Sequence, residues 1–147
     1  MCDREKELFL LDIIIAIEKI RDIAKEYESG DDIQYSYRDW DAIIREFEIV
    51  GEAMRYCLDF GFFHNEKEKR AVVDFRNVLI HKYFGIDADE VLNIAKKHLD
   101  WLEDLIVKRF MEVDKDKREE VLEYMIEENH YLPFVLKKLN QLKNESE

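Results

Sequence analysis

The sequence predicts an all-α protein, a helical bundle of about four core helices with extra helices at its C-terminus. Three observations carry this. The 147 residues include four Gly, one Pro and no Thr, far too few turn formers and β-branched polar residues for a sandwich or barrel. Hydrophobic residues make up 47% and charged residues 39%, which excludes a chain too polar to fold. The apolar positions recur at the three-then-four spacing of a helix face.

The first helix is predicted over residues 4–28, with Leu10, Ile13, Ile14, Ile17, Ile20, Ala24 and Tyr27 on one face. Phe9, Leu11 and Ile15 widen that stripe, which places this helix centrally or at a subunit contact. Ser29, Gly30, Asp31 and Asp32 are read as its end, and 29–37 as a loop. A second helix follows over 37–58, with Trp40, Ile43, Ile44, Phe47, Val50, Met54 and Cys57 inward. Gly51 shares that face, and since glycine costs about 1 kcal/mol relative to alanine inside a helix, a close-packed neighbour is expected there.

A third helix is predicted over 66–81, broken by Gly85, and a fourth over 88–111, with Asp87 as cap and Glu90 at the capping-box position. Two further helices, 115–129 and 133–143, are separated by Asn129, His130 and Pro133. The organisation expected is a bundle over residues 1–112 and a helical extension over 113–147 packed on the same domain. Trp40 and Trp101 are read as core, and Phe60, Phe62 and Phe63 chiefly as core or dimer packing.

The formal charge of −12 repels nucleic acid at long range, so a nucleic-acid role has to rest on a local patch. Lys67, Lys69 and Arg70 offer such a strip, although Glu66 and Glu68 interleave with them as on a solvated helix face. Cys2 and Cys57 form no disulfide framework and read as reduced thiols of a cytoplasmic protein. The apolar run near the N-terminus is short and follows Asp3, Arg4, Glu5, Lys6 and Glu7. It therefore suits neither a signal peptide nor a membrane span. His64, His98 and His130 lack metal-ligand spacing, and neither a metal nor a cofactor is expected.

The segment Phe75-Arg76-Asn77-Val78-Leu79-Ile80-His81-Lys82-Tyr83-Phe84-Gly85 gathers polar chemistry inside an apolar stretch. Arg supplies a planar charged fork for phosphate oxygens, and His moves protons near neutrality. Together they suit metal-independent RNA cleavage. His81 would take the ribose 2′-hydroxyl proton or protonate the leaving 5′-oxygen, and Arg76 would stabilise the phosphorane-like transition state. Asn77 would orient the phosphate or His81, and Lys82, at the end of the motif helix, would help position the RNA. On a regular α-helix, five residues turn about 140° and rise about 7.5 Å, so Arg76 and His81 would converge on a ligand without stacking. The structural reading stands beside this one, with Arg76 paired to a carboxylate, His81 capping a helix and Tyr83 packed as an aromatic.

RNVLIHKYFGID resembles the signature of the HEPN superfamily, specifically the HepT-like ribonucleases, whose pattern is R-x4-H-x-Y with a polar residue after the Arg. Arg76, Asn77, His81 and Tyr83 occupy the matching places. Upstream, Glu48-Ile49-Val50-Gly51-Glu52-Ala53 resembles the family's E-x-x-G-E-A element, and the likeness spans roughly residues 5–110. The resemblance implies a homodimeric helical bundle with the motif lining a cleft between subunits. It implies a ribonuclease toxin acting on RNA, partnered by a nucleotidyltransferase antitoxin that silences it by transferring AMP to Tyr83. Glu52 is a candidate for lining the cleft; the ordinary alternative for Glu48 and Glu52 is solvation or pairing with an arginine, with Arg45 and Arg55 nearby. The alternative function is a non-catalytic dimeric module that binds the nucleotidyltransferase.

Overall fold

The first helix, α1 (Glu7–Ala24), is the axle of the molecule. Eleven of its eighteen residues are buried, among them Leu10, Leu11, Ile13, Ile14, Ile17 and Ile20 with no exposed surface. The computed structural model describes residues 4–82 and 87–146; for His81 and Lys82 it describes the backbone. Within those residues the chain is helical without strands. α2 (Gly30–Gln34), α3 (Tyr37–Asp59) and α4 (Glu66–Asn77) precede a π-helical turn, Val78–Lys82; α5 (Ala88–Lys97), α6 (Asp100–Met111), α7 (Lys115–Glu128) and α8 (Pro133–Ser146) follow. Helices α3, α5, α6, α7 and α8 all touch α1. The wide apolar stripe of α1 thus belongs to a central helix, covered from within the chain.

Four expectations about helix bounds and glycine packing are corrected. Residues 29–37 are not a plain loop: Ser29 accepts the Asp32 amide at 3.2 Å and starts the short helix α2. The third predicted helix leaves α-geometry after Asn77 and ends in the π turn. The fourth is two helices, interrupted at His98 and Leu99. No Gly or Pro lies in that stretch, so packing imposes the break: α5 lies against both α2 and α1, while α6 runs along α1. The fourth correction concerns glycine. A β-carbon at Gly51 would meet no described atom within 4 Å, whereas one at Gly30 would lie 2.3 Å from the Asp89 nitrogen. The close approach is therefore between α2 and α5, where the Gly30 amide also donates to Asp89 Oδ1 at 2.7 Å.

Other readings hold. Asp87 caps α5 by accepting the Glu90 amide at 3.1 Å. Cys57 is fully buried, and its thiol is pushed up to about 12, first by burial and then by the Asp12 charge. Phe63 is core, and Phe60 joins a stack with Phe9 and Tyr56. Trp40 packs half-buried against the core, but Trp101 stays partly exposed, edge-on to Phe75. Gly85 lies outside the described residues, as does Cys2.

The last two helices pack on each other and on α1. Their joint is Arg118, a buried guanidinium with no carboxylate partner among the described residues. It donates to the carbonyls of Met111 (3.1 Å), Val113 (2.6 Å) and Ser146 (3.3 Å), and to Ser146 Oγ. Met111 and Ser146 end α6 and α8, where unpaired carbonyls carry the negative end of the helix dipole. One cation thus serves two helix ends.

Two substitutions test this account. Gly30→Ala should destabilise the protein by about 2 kcal/mol in urea unfolding, because the methyl group meets backbone that has to shift. Arg118→Ala leaves buried carbonyls unpaired and should cost about 3 kcal/mol. It should also expose α7 and α8 to limited proteolysis before the rest of the chain.

Candidate functional site

Three described residues of the motif meet α3 at one place. Phe47, Glu48, Gly51 and Glu52 lie one helical turn apart in two pairs and so share a face of α3. Across from them, Arg76, Leu79 and Ile80 come from the end of α4 and the π turn. These seven side chains and backbones line a pocket of about 310 Å³, at the small end of the roughly 300–1,000 Å³ typical of ligand sites. Phe47 and Leu79 are buried, and Ile80 is 47% exposed at the rim.

Arg76 is half-buried, and its Nε donates to the Gly51 carbonyl at 3.1 Å. Among the described residues its terminal amino groups have no hydrogen-bond or ion-pair partner. No described carboxylate lies within ion-pair distance of it, although its charge acts on Glu52 across the pocket. Glu52 is exposed on the rim, 2.5 Å from Arg55. That hydrogen bond holds its carboxyl below the ordinary value against the opposing effect of burial, with the charges of Arg55 and Arg76 adding to it. Glu48 faces Arg45 at 3.6 Å. Both acids therefore line the pocket and pair along their own helix.

The π turn changes the motif's geometry. A π-helix closes its hydrogen bonds over five residues and winds about 4.4 residues per turn, against 3.6 in the α form. The separation between positions 76 and 81 around the axis falls from about 140° to about 85°. The backbone therefore carries position 81 towards the face that holds Arg76. Asn77, the last residue of α4, is exposed. The side chains of His81 and Lys82, and Tyr83 entirely, lie outside the described residues.

Polar ties fix α4, which buries only Val72. Asn65 caps it by accepting the Glu68 amide at 2.9 Å. Glu68 binds Arg109 of α6 at 3.0 Å and accepts the His64 amide at 3.0 Å. The His64 amide, then the Arg109 and His64 charges, hold its carboxyl below the usual range. Phe75 rests on Trp101. Lys67, Lys69 and Arg70 are exposed, with Lys69 3.6 Å from Glu66, as on a solvated face. His64 contacts Arg109 and Glu112, and no group of three His, Cys, Asp or Glu side chains among the described residues is arranged to hold a metal. No described helix is long and apolar enough to cross a membrane.

The Ribonuclease HepT-like family pattern matches residues 13–109, a span that contains both sides of the pocket. The chain belongs to the HepT-like ribonuclease family. Its relatives include two proteins of Methanocaldococcus jannaschii. One, named "Gamma-glutamylcyclotransferase and putative RNase", is 32% identical over 115 residues, covering 78% of this chain and 51% of the relative. The other, named "Putative RNase", is 35% identical over 98 residues, covering 66% and 89%. A Thermococcus cleftensis protein named "Probable ribonuclease HepT" is 33% identical over 97 residues, covering 65% and 87%. The chain spans about half the length of the first relative and most of the other two. No solved structure matches it.

This HepT-like pocket uses more of α3 than the E-x-x-G-E-A element alone suggests. Phe47 was read as core, and it is; its position one turn before Gly51 is the signal that it also borders the pocket. Leu79 and Ile80 lie inside the motif, where the fixed Arg and His draw attention away from the residues between them.

Asn77 and Glu52 are exposed, so their roles can be tested without loss of fold. Asn77→Ala and Glu52→Gln should each unfold within about 0.5 kcal/mol of wild type in urea titrations.

Proposed function

We propose that this HepT-like protein is a metal-independent endoribonuclease, the toxin of a toxin–antitoxin pair. The observation that carries the reading is Arg76. Its guanidinium is anchored by Nε on Gly51 at the pocket, with the terminal amino groups free among the described residues. Such a fork suits a phosphate that gains charge in the transition state. The π turn supports the pairing of Arg76 with His81 by bringing position 81 round towards Arg76. The relatives' names support RNA as the substrate class.

In the reaction, the ribose 2′-oxygen attacks the adjacent phosphorus while His81 takes its proton. The bond to the 5′-oxygen breaks, and that oxygen receives a proton from a second acid. The products are a 2′,3′-cyclic phosphate and a 5′-hydroxyl. In a homodimer the second acid is the partner copy's histidine, and the exposed Val73 on α4 is part of the surface a second copy covers. Asn77 and Lys82 position the RNA. The antitoxin, a nucleotidyltransferase, transfers AMP from ATP to the Tyr83 hydroxyl and releases pyrophosphate; the added phosphate competes for Arg76 and repels substrate. Residues 113–147 are an integral part of the same domain, and the protein works in the cytoplasm.

The test is cleavage of a labelled single-stranded RNA in EDTA by wild type, Arg76→Ala and His81→Ala. Each substitution should lower the rate by about 10²-fold or more, with unfolding midpoints close to wild type. Full activity in both variants sinks the assignment of the site. A wild-type chain that binds a nucleotidyltransferase but never cleaves RNA is the non-catalytic module instead. Incubation with the partner and ATP should add the mass of one AMP, and Tyr83→Phe should abolish the addition.

A further inference from the structure

Gly51 is buried in the middle of a 23-residue helix, where glycine costs about 1 kcal/mol relative to alanine. Packing repays that cost at Gly30, where a β-carbon has no room; at Gly51 a β-carbon would meet no described atom within 4 Å. Packing among the described residues therefore does not ask for glycine at position 51. What borders it is the pocket, and its own carbonyl anchors Arg76.

Resting on the ribonuclease reading, we infer that Gly51 is the specificity-determining floor of the site, where the sugar of one unstacked nucleotide lies against the α3 backbone while Arg76 holds its phosphate. The lining fits that occupant. Phe47, Leu79 and Ile80 give apolar walls for a sugar and a base, and Arg76 gives one cation. Glu48 and Glu52 on the α3 side disfavour a second phosphate inside. A volume of about 310 Å³ admits a single nucleotide. A base-paired strand cannot present one nucleotide this way without unstacking it, so the substrate is single-stranded RNA.

The experiment compares wild type, Gly51→Ala and Gly51→Leu, using a fluorescent single-stranded RNA for cleavage and its 2′-deoxy counterpart for anisotropy titration. Gly51→Ala should fold at least as stably as wild type. Its KM and dissociation constant should rise about tenfold, and those of Gly51→Leu about a hundredfold, because the side chain takes the nucleotide's space. Wild-type KM and affinity in both variants overturn the inference while leaving the ribonuclease reading intact. Losses that follow a fall in dimer content, measured by light scattering, also overturn it, since the space then belongs to a second copy. If wild type fails to cleave, the ribonuclease reading fails by itself. The anisotropy titration still decides the pocket, with equal affinity across the three chains counting against it.

Discussion

The fold depends on one constraint: α1 is apolar on nearly every side and has to be covered all round. A helix with one apolar stripe needs one neighbouring layer; α1 needs a ring of them. The chain supplies that ring from α3, α5, α6, α7 and α8. This explains why the C-terminal helices are more than an appendage, since without them part of α1 would face water. At about 25 cal/mol per Å² of apolar surface, a few exposed Leu and Ile side chains would consume much of a small protein's net stability. The buried Arg118 makes sense in the same frame. It gathers the ends of α6 and α8 at one point and so holds the cover in place.

The motif-bearing helix stands outside that ring. α4 buries one side chain, so the hydrophobic effect does little to set its position. Directional contacts do that work: the Asn65 cap, the Glu68–Arg109 pair, the Phe75–Trp101 edge contact and the Arg76–Gly51 hydrogen bond. The last of these joins placement and chemistry. By giving Nε to a main-chain carbonyl, Arg76 fixes the plane of its guanidinium before any ligand arrives, which reduces the ordering cost on binding. The π turn is the other departure from regular packing. It holds the hydrogen-bonded backbone in a less favourable register, and it falls in the motif segment between positions 76 and 81.

The fold class was legible because periodicity and the scarcity of Gly and Pro both point the same way. The Asp87 cap was legible because a carboxylate three residues before Glu90 has a local cause. The break at His98 and Leu99 was not, since no residue there disfavours helix and tertiary packing alone decides it. The Ser29 cap was misread as an ending because Ser-Gly-Asp-Asp serves either role. The site was legible through Arg76 and the E-x-x-G-E-A element, but the link between them was not. A hydrogen bond from a side chain to a carbonyl 25 residues earlier leaves no pattern in the sequence. Nor does the periodicity reveal a π turn, which shifts the register by less than one residue.

An RNA-cleaving role has to be reconciled with a net charge of −12. Proteins that hold nucleic acid through many phosphate contacts gain affinity without regard to sequence or shape, and lose it steeply with salt. Near the pocket, several of the described cations are already paired with acids. Lys69 faces Glu66, and Arg55 and Arg45 face the pocket acids. A site with one uncommitted guanidinium among the described residues, set in a small pocket with apolar walls, works differently. On the inferred reading of the pocket, most of its discrimination comes from whether one nucleotide can leave its stack and enter. The acidic surface then raises selectivity, because it penalises RNA that approaches anywhere else. On this view the glycine at position 51 and the negative charge of the whole molecule serve one end: RNA is held at a single place or not at all.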